Sequence, residues 1–425
     1  MRTPPLADSP VELFAPGTTV ADGELVLGGC RAGEIARAVG TPVLVMDEAA
    51  LRARARRYVE GFGARWPDSG VVWASKSLPC TAIYGTLAEE GLGIDVAGGG
   101  ELVMALAAGV DPATIVVHGN AKTDAEIDLA LDAGDGLIVI DNRDDLARLE
   151  ARAPRGQRVL LRVRPDVVAA THEAMATGGA TSKFGLPLEV AEAVITELRA
   201  SRTLVLEGLH VHVGSQIAET EPFTRAVEAI GRLGEFSTYD LGGGLGARYT
   251  VASVVPSVEE YLDALTLAAR ANLPAGARLL IEPGRSIVAE AACTLYRVVT
   301  VKEGARGPIV AIDGGMGDNL EVSLYGQAFD ATLANRVGRG GPVTLVGRHC
   351  ESGDELIASV SMRDPRVGDL VAVPVTGAYC LTMANNYNGA LRPPIVLVRD
   401  GHARVVLRRE IYEDLVRRDV DEPVL

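Results

Sequence analysis

From about residue 42 to Arg285 the chain alternates between two textures. Short runs rich in β-branched residues are each followed by a polar turn and then by an Ala/Leu/Glu/Arg stretch of helical period. The strand-like runs fall at 71–75, 93–96, 114–118, 137–140, 159–164, 208–213, 237–241 and 278–281, with an earlier run at 42–46 as a ninth. Eight strands with intervening helices over about 215 residues suit a closed (β/α)8 TIM-like barrel better than the alternative, an open doubly wound sheet.

Beyond Arg285 the texture changes. Strand-like runs recur at 295–301, 308–312, 342–346, 370–375, 394–398 and 403–407 with few helices between them, which reads as an antiparallel β-domain. The expected organisation is an N-terminal segment over 1–45 that packs with the β-domain, the barrel over 46–285 and the β-domain over 286–425.

Forty-one Lys and Arg against 56 Asp and Glu give a formal charge of −15, which argues against nucleic acid or an anionic membrane as the main partner. Five cysteines (Cys30, Cys80, Cys293, Cys350 and Cys380) form no CxxC pair and no metal-ligand spacing, the pattern of reduced thiols in a cytoplasmic protein. The first residues carry no apolar run of signal-peptide length, and nothing later reaches 18 uninterrupted apolar residues. A soluble, cytoplasmic, non-secreted chain is expected.

In a barrel, chemistry gathers in the loops at the C-terminal ends of the strands. Those loops begin at Lys76, Asp95, His118, Asp141, Arg164, His212, Gly242 and Glu282. Lys76 is either an ordinary surface lysine or an amine placed to form a Schiff base in a partly dry pocket. Gly242-Gly-Gly-Leu-Gly can cradle a phosphate with its backbone amides, although it loosely resembles a dinucleotide turn and is also compatible with a merely tight turn. Its place after the seventh strand, with Arg285 after the eighth, favours a phosphate-bearing cofactor.

His210 and His212 alternate with apolar residues and so share a face. An HxH pair can bind a metal, with His172 or His349 as further ligands, but no third ligand has motif spacing, and no metal is expected. Glu282-Pro-Gly-Arg puts a carboxylate and a guanidinium on one turn, either paired with each other or holding a protonated ring nitrogen and an anion. Cys350-Glu-Ser-Gly-Asp, taken alone, is a polar hairpin with an incidental cysteine.

Taken together, these motifs resemble the diaminopimelate decarboxylases within the fold-type III, pyridoxal-phosphate-dependent amino-acid decarboxylases, whose relatives include ornithine and arginine decarboxylases. The fold is similar to that of alanine racemase. The resemblance runs from Gly40-Thr-Pro to Arg408-Arg-Glu through Ser75-Lys-Ser, Asp95-Val-Ala-Gly-Gly-Gly-Glu, His118-Gly-Asn-Ala-Lys, Thr171-His, Ser182-Lys-Phe-Gly, His210-Val-His-Val-Gly-Ser-Gln, Glu282-Pro-Gly-Arg, Gly377-Ala-Tyr and Asn386-Tyr-Asn.

The resemblance implies that pyridoxal 5'-phosphate is carried by Lys76, with His212 stacked on its ring and Glu282 keeping the ring nitrogen protonated. It further implies that Ser215, Gly242, Gly243, Gly244, Gly284, Arg285 and Tyr379 surround the cofactor and its phosphate, with Asp95 beside it. The substrate would meet Arg285, Glu321, Tyr325, Glu351 and Tyr379. Cys350 would donate the proton to Cα, making Lys76, His212 and Cys350 the catalytic set. The active site would lie at a homodimer interface that Cys350 and Glu351 cross, with Lys183 and Asp354 pairing there.

One segment departs from the family. Where diaminopimelate decarboxylases read Arg-Pro-x-Leu-Tyr, with the arginine gripping the distal carboxylate of the substrate, this chain has Glu321-Val-Ser-Leu-Tyr. Reversing that charge would repel a substrate carboxylate by a few kcal/mol in a partly dry site. Three readings stay open: a basic or neutral tail, a modified or carrier-bound amino acid, or diaminopimelate with Arg348 or another neighbour compensating.

Overall fold

The structure is a computed structural model describing residues 10–134, 136–167, 175, 177–179 and 182–422. His172, raised above as a metal ligand, and the Thr171-His motif lie outside the described residues. The chain divides into two compact units. One comprises 52–247 and 254–287, and the other comprises 1–51, 248–253 and 288–425.

The first unit is a closed barrel of eight parallel strands: β1 (Ser69–Ala74), β2 (Gly93–Val96), β3 (Ile115–Val117), β4 (Leu137–Ile140), β5 (Gln157–Arg164), β6 (Leu204–Val211), β7 (Thr238–Asp240) and β8 (Arg278–Ile281). Leu279, Leu280 and Ile281 of β8 pair with Ser69, Gly70 and Val71 of β1. That closure excludes the open doubly wound sheet. Helices start where the sequence supplies caps. Thr123 and Glu126 form a reciprocal capping box at one N-terminus, as do Ser257 and Glu260 at another.

Strand register decides what fills the barrel. Side chains two residues apart share a face. Val72, Val116, Leu137, Val139, Leu160 and Leu280 form one buried apolar cluster contributed by five strands. One step further along, the same face turns polar. His210 stands opposite Arg162 on one side and Asp240 on the other, while Asp95 stands opposite Ala74 and Val116. The barrel therefore has an apolar plug below and a charged layer above, at the ends of the strands where the loops begin.

The second unit is built on a nine-stranded sheet. Its main path runs Glu355–Met362, Gly341–Val346, Ile309–Ile312, Ala292–Lys302, Val43–Asp47, Ile395–Arg399 and His402–Leu407. Leu370–Pro374 and Thr332–Leu333 lie off this path. The sheet is mixed rather than purely antiparallel: Ile309–Ile312 pairs in parallel with Gly341–Val346, and Ile395–Arg399 with Val43–Asp47.

Val43–Asp47 is the run read above as a ninth strand. All five of its residues are buried, as suits a central strand covered on both faces, and it sits mid-sheet in this unit. A boundary at residue 45 or 46 would cut that strand in two. No helix among the described residues is long and apolar enough to cross a membrane.

Candidate active site

The charged layer of the barrel centres on Glu282, the first residue past β8. His118, the first residue past β3, reaches it with Nε2 2.6 Å from Oε1. His210 on β6 reaches the other oxygen, Nε2 to Oε2, at 3.1 Å. The two rings meet edge to face, with centroids 4.8 Å apart. All three residues are buried. His118 is fixed from behind by its backbone N–H, which donates to Val96 O at 2.8 Å, and Asp95 Oδ1 lies 3.8 Å from its Nε2.

Ionisation follows from this geometry. Burial works to raise Glu282, but the neighbouring His118 and His210 outweigh it and hold the carboxylate well below its usual range. Burial pushes His210 down to about 4, so its ring is neutral and donates from Nε2. In keeping with that tautomer, His210 Nδ1 is buried without a hydrogen-bond partner among the described residues. Burial raises Asp95 to about 6 against the pull of His118. Asp240 is pushed well above its usual value by burial and by Glu282, and its Oδ1 accepts from Gly242 N at 2.9 Å. Arg162 supplies buried positive charge in the same layer, with Nε 3.8 Å from Asp141 Oδ1.

His118, His210 and Glu282 are also the one cluster among the described residues with the donor types and spacing of a metal site. Ligands on one tetrahedral zinc stand about 3.3 Å apart, because each lies about 2.0–2.2 Å from the ion. The 2.6 Å contact between His118 and Glu282 is a hydrogen bond instead.

Lys76 sits on a single 3-10 turn, Ser75–Ser77, directly after β1. Its charge bears on both Asp95 and His212. Gly284 lets the loop after β8 close onto that turn, since a Cβ there would stand 3.0 Å from Ala74 Cβ and 3.4 Å from Ser77 Cβ. His212 lies one residue beyond β6, and its Nδ1 accepts from Gly243 N at 3.1 Å. Burial, then Lys76 and Arg162, hold His212 well below the usual histidine range. The ring is therefore neutral, with its proton on Nε2.

The glycine turn differs from the amide cradle expected of it. Gly242 N donates to Asp240 and Gly243 N to His212, so these two amides are engaged within the protein. Glycine is needed because the turn packs against backbone. A Cβ would stand 2.3 Å from Val211 O at Gly242, 2.0 Å from Glu282 O at Gly243 and 2.3 Å from Gly214 O at Gly244. Arg285 opens the helix Arg285–Val288 and places Nε 3.4 Å from Ser215 Oγ, bringing a cation and a hydroxyl together beside that turn.

In the other unit, Cys350 is the exposed member of the five free cysteines. Its backbone N–H donates to Asn388 Oδ1 at 2.8 Å, and Asn388 takes a left-handed φ of 54°. Glu351 beside it is exposed. Asp354 does not present itself for an intersubunit pair with Lys183. It is buried, with Oδ1 accepting from Met316 N and Oδ2 from His349 N and Nδ1, so it braces the Cys350 loop from inside. The Lys183 ammonium lies over the Phe184 ring, 5.0 Å from its centroid.

Tyr379 has φ of +60° and the β-branched Val375 has +62°, a strained turn of the kind that accompanies functional loops. Glu321 and Tyr325 lie on the short helix Leu320–Tyr325. Glu321 is 1% exposed and accepts from Tyr249 Oη.

The sequence patterns give no role to His118, Arg162, Asp240, Tyr249 or Asn388, and offer His210 only as one of an HxH pair. Only His118 and His210 carried a usable signal, as inward-facing histidines at strand ends.

The profile for the family described as pyridoxal-dependent decarboxylase, pyridoxal binding domain, matches residues 48–289. The diaminopimelate decarboxylase of Actinosynnema pretiosum subsp. auranticum is 44% identical over 423 residues, covering 96% of this chain and 95% of that protein. That of Bacillus subtilis (strain 168) is 39% identical over 435 residues, covering 96% and 98%. The crystal structure of the diaminopimelate decarboxylase from M. jannaschii in complex with L-lysine matches with a TM-score of 0.89 at 30% identity, over 96% of this chain and 99% of that one. Similarity of this extent runs through both units, and on it the chain belongs to the pyridoxal-dependent decarboxylases.

Proposed function

We propose that the protein removes CO2 from the α-carbon of meso-diaminopimelate to give L-lysine, with pyridoxal 5'-phosphate bound at the barrel mouth. The observation that carries this reading is the buried, anionic Glu282 held between two imidazoles, in a chain similar over nearly its whole length to diaminopimelate decarboxylases.

The donor set fits the cofactor. An anionic carboxylate suits a protonated pyridine nitrogen, and the Ser215 hydroxyl beside Arg285 suits a phosphate. Bound there, the cofactor supplies an electron sink for the pair released when the α-carboxylate leaves. Lys76 would carry it covalently, and the neutral ring of His212, fixed by Gly243, would lie against its face. Ser215, Gly244, Arg285 and Tyr379 would hold the phosphate, while Gly242 and Gly243 act by positioning His212. Cys350 would return a proton to Cα, and Glu351, Tyr325 and Tyr379 would meet the substrate. We place Cys350 and Glu351 in the site of a second copy of the chain, in a cytoplasmic homodimer.

Glu321 favours a second reading, a substrate whose tail is neutral or cationic. One experiment separates the two: CO2 release by the pyridoxal-phosphate-loaded protein from meso-diaminopimelate, compared with basic and conjugated amino acids. Fast release of CO2 with formation of lysine supports the first reading. Full cofactor occupancy with no release from meso-diaminopimelate overturns it in favour of the second.

A further inference from the structure

We infer that His118 is a positioning residue for this reaction, fixing the plane and the charge of Glu282 by gripping Oε1 while His210 grips Oε2. The inference rests on the reading proposed above, because the state of Glu282 matters to catalysis only if a protonatable ring lies against it.

A buried carboxylate held through one oxygen can still turn about its Cγ–Cδ bond. Held through both oxygens, by donors at the ends of two strands that are not neighbours in the sheet, it cannot. The contact from His118 is the shorter of the two, 2.6 Å against 3.1 Å. His118 is itself anchored by its backbone bond to Val96, and Asp95 approaches the same Nε2 from the β2 side. No motif reading assigns His118 this work, since its partner lies 164 residues away in the sequence.

The test uses three variants of the full-length protein. His118→Gln keeps an N–H donor at about the Nε2 position, whereas His118→Asn and His118→Phe remove it. Two readouts are taken across pH. The first is kcat and KM. The second is the affinity of cofactor-free protein for pyridoxal phosphate, followed by quenching of the two tryptophans, of which Trp73 lies on β1 just before Lys76.

Losing a donor to a buried charged group should lower kcat in the His118→Asn and His118→Phe proteins about 10- to 100-fold with KM within about twofold. The acid limbs of both kcat and cofactor affinity should move to higher pH, because Glu282 then takes up a proton more readily. His118→Gln should restore both limbs. Wild-type limbs in His118→Asn and His118→Phe would overturn the inference, as would a His118→Gln protein that falls as far as His118→Phe with its limbs unmoved. If the wild-type protein itself bound no pyridoxal phosphate, the functional reading would fall, and the inference with it.

Discussion

Tyr249 Oη lies 3.1 Å from Glu321 Oε2, and both side chains are buried. Tyr249 belongs to the segment 248–253, which interrupts the barrel sequence yet packs as part of the β-rich unit. Phe329 meets its ring edge to face at 4.9 Å. The Glu321 carboxylate is thus gripped by a hydroxyl donated from a part of the chain 72 residues away.

Removing one partner of a buried hydrogen bond costs about 1–3 kcal/mol. Tyr249→Phe should therefore lower stability in urea by about 1–3 kcal/mol, and adding Glu321→Gln should recover part of that loss. The same Glu321→Gln change tests specificity. If Glu321 meets the substrate tail, the ratio of kcat/KM for meso-diaminopimelate over lysine should rise by about tenfold or more. An unchanged ratio would place Glu321 outside the substrate pocket.

Asp318, three residues earlier, gives a stability signal against pH. Burial raises it to about 7, even though Tyr296 Oη donates to its Oδ1 at 2.8 Å. The folded state then holds a proton that the unfolded chain releases from about pH 4 upward, so stability should fall as pH climbs from about 4 to 7, by at most about 4 kcal/mol. Asp318→Asn keeps the acceptor for Tyr296 and removes the titration. Its curve should be flatter and lie above that of the wild type at pH 8. Parallel curves would show that Asp318 is charged in the folded protein.

Cys350 should be the thiol that reacts first. The other four cysteines are buried, and burial raises Cys293 to about 12. Brief treatment of the folded protein with iodoacetamide should label Cys350 alone by peptide mass mapping, with turnover lost in step. Full labelling with turnover intact would remove Cys350 from the proton-donor role.

Lys76→Ala and Cys350→Ala proteins should each be nearly inactive, and the former should lack the absorbance of a lysine-linked cofactor. If Cys350 serves a second copy of the chain, mixed dimers rebuild one intact site each. A mixture after subunit exchange should then recover about a quarter of wild-type activity. Activity that stays at the sum of the parents would mean each site draws both residues from one chain.

The barrel was legible because its cause is local. Val71, Ile94, Ile115, Ile138 and their neighbours are β-branched runs with polar punctuation, and both faces of a parallel strand are buried, so each strand announces itself. Lys76, Glu282 and Arg285 stood out for a similar reason, as polar side chains at strand ends and turns, whereas the role expected of Cys350 rested on the resemblance alone. The strand Glu355–Met362 was not, because its residues mix Glu, Ser and Ala with apolar ones and half of it faces outward.

What belonged to folding was every choice among distant partners. The apolar run Val43–Asp47 reads the same in a barrel or in a second sheet, and only its pairing with Ala292–Lys302 and Ile395–Arg399 assigns it. The amides of Gly242 and Gly243 look available for phosphate until Asp240 and His212 take them. Asp354 looks like an interface charge until it is found buried against His349. Above all, the pairing of Glu282 with both His118 and His210 arises because barrel closure converges strand ends separated by 164 and 72 residues. Which side chains could do chemistry was written in local stretches of the chain. The closing of the sheet set their charge states, because burial and a partner's hydrogen bond fix a proton's place, and both are properties of contacts that exist only in the folded chain.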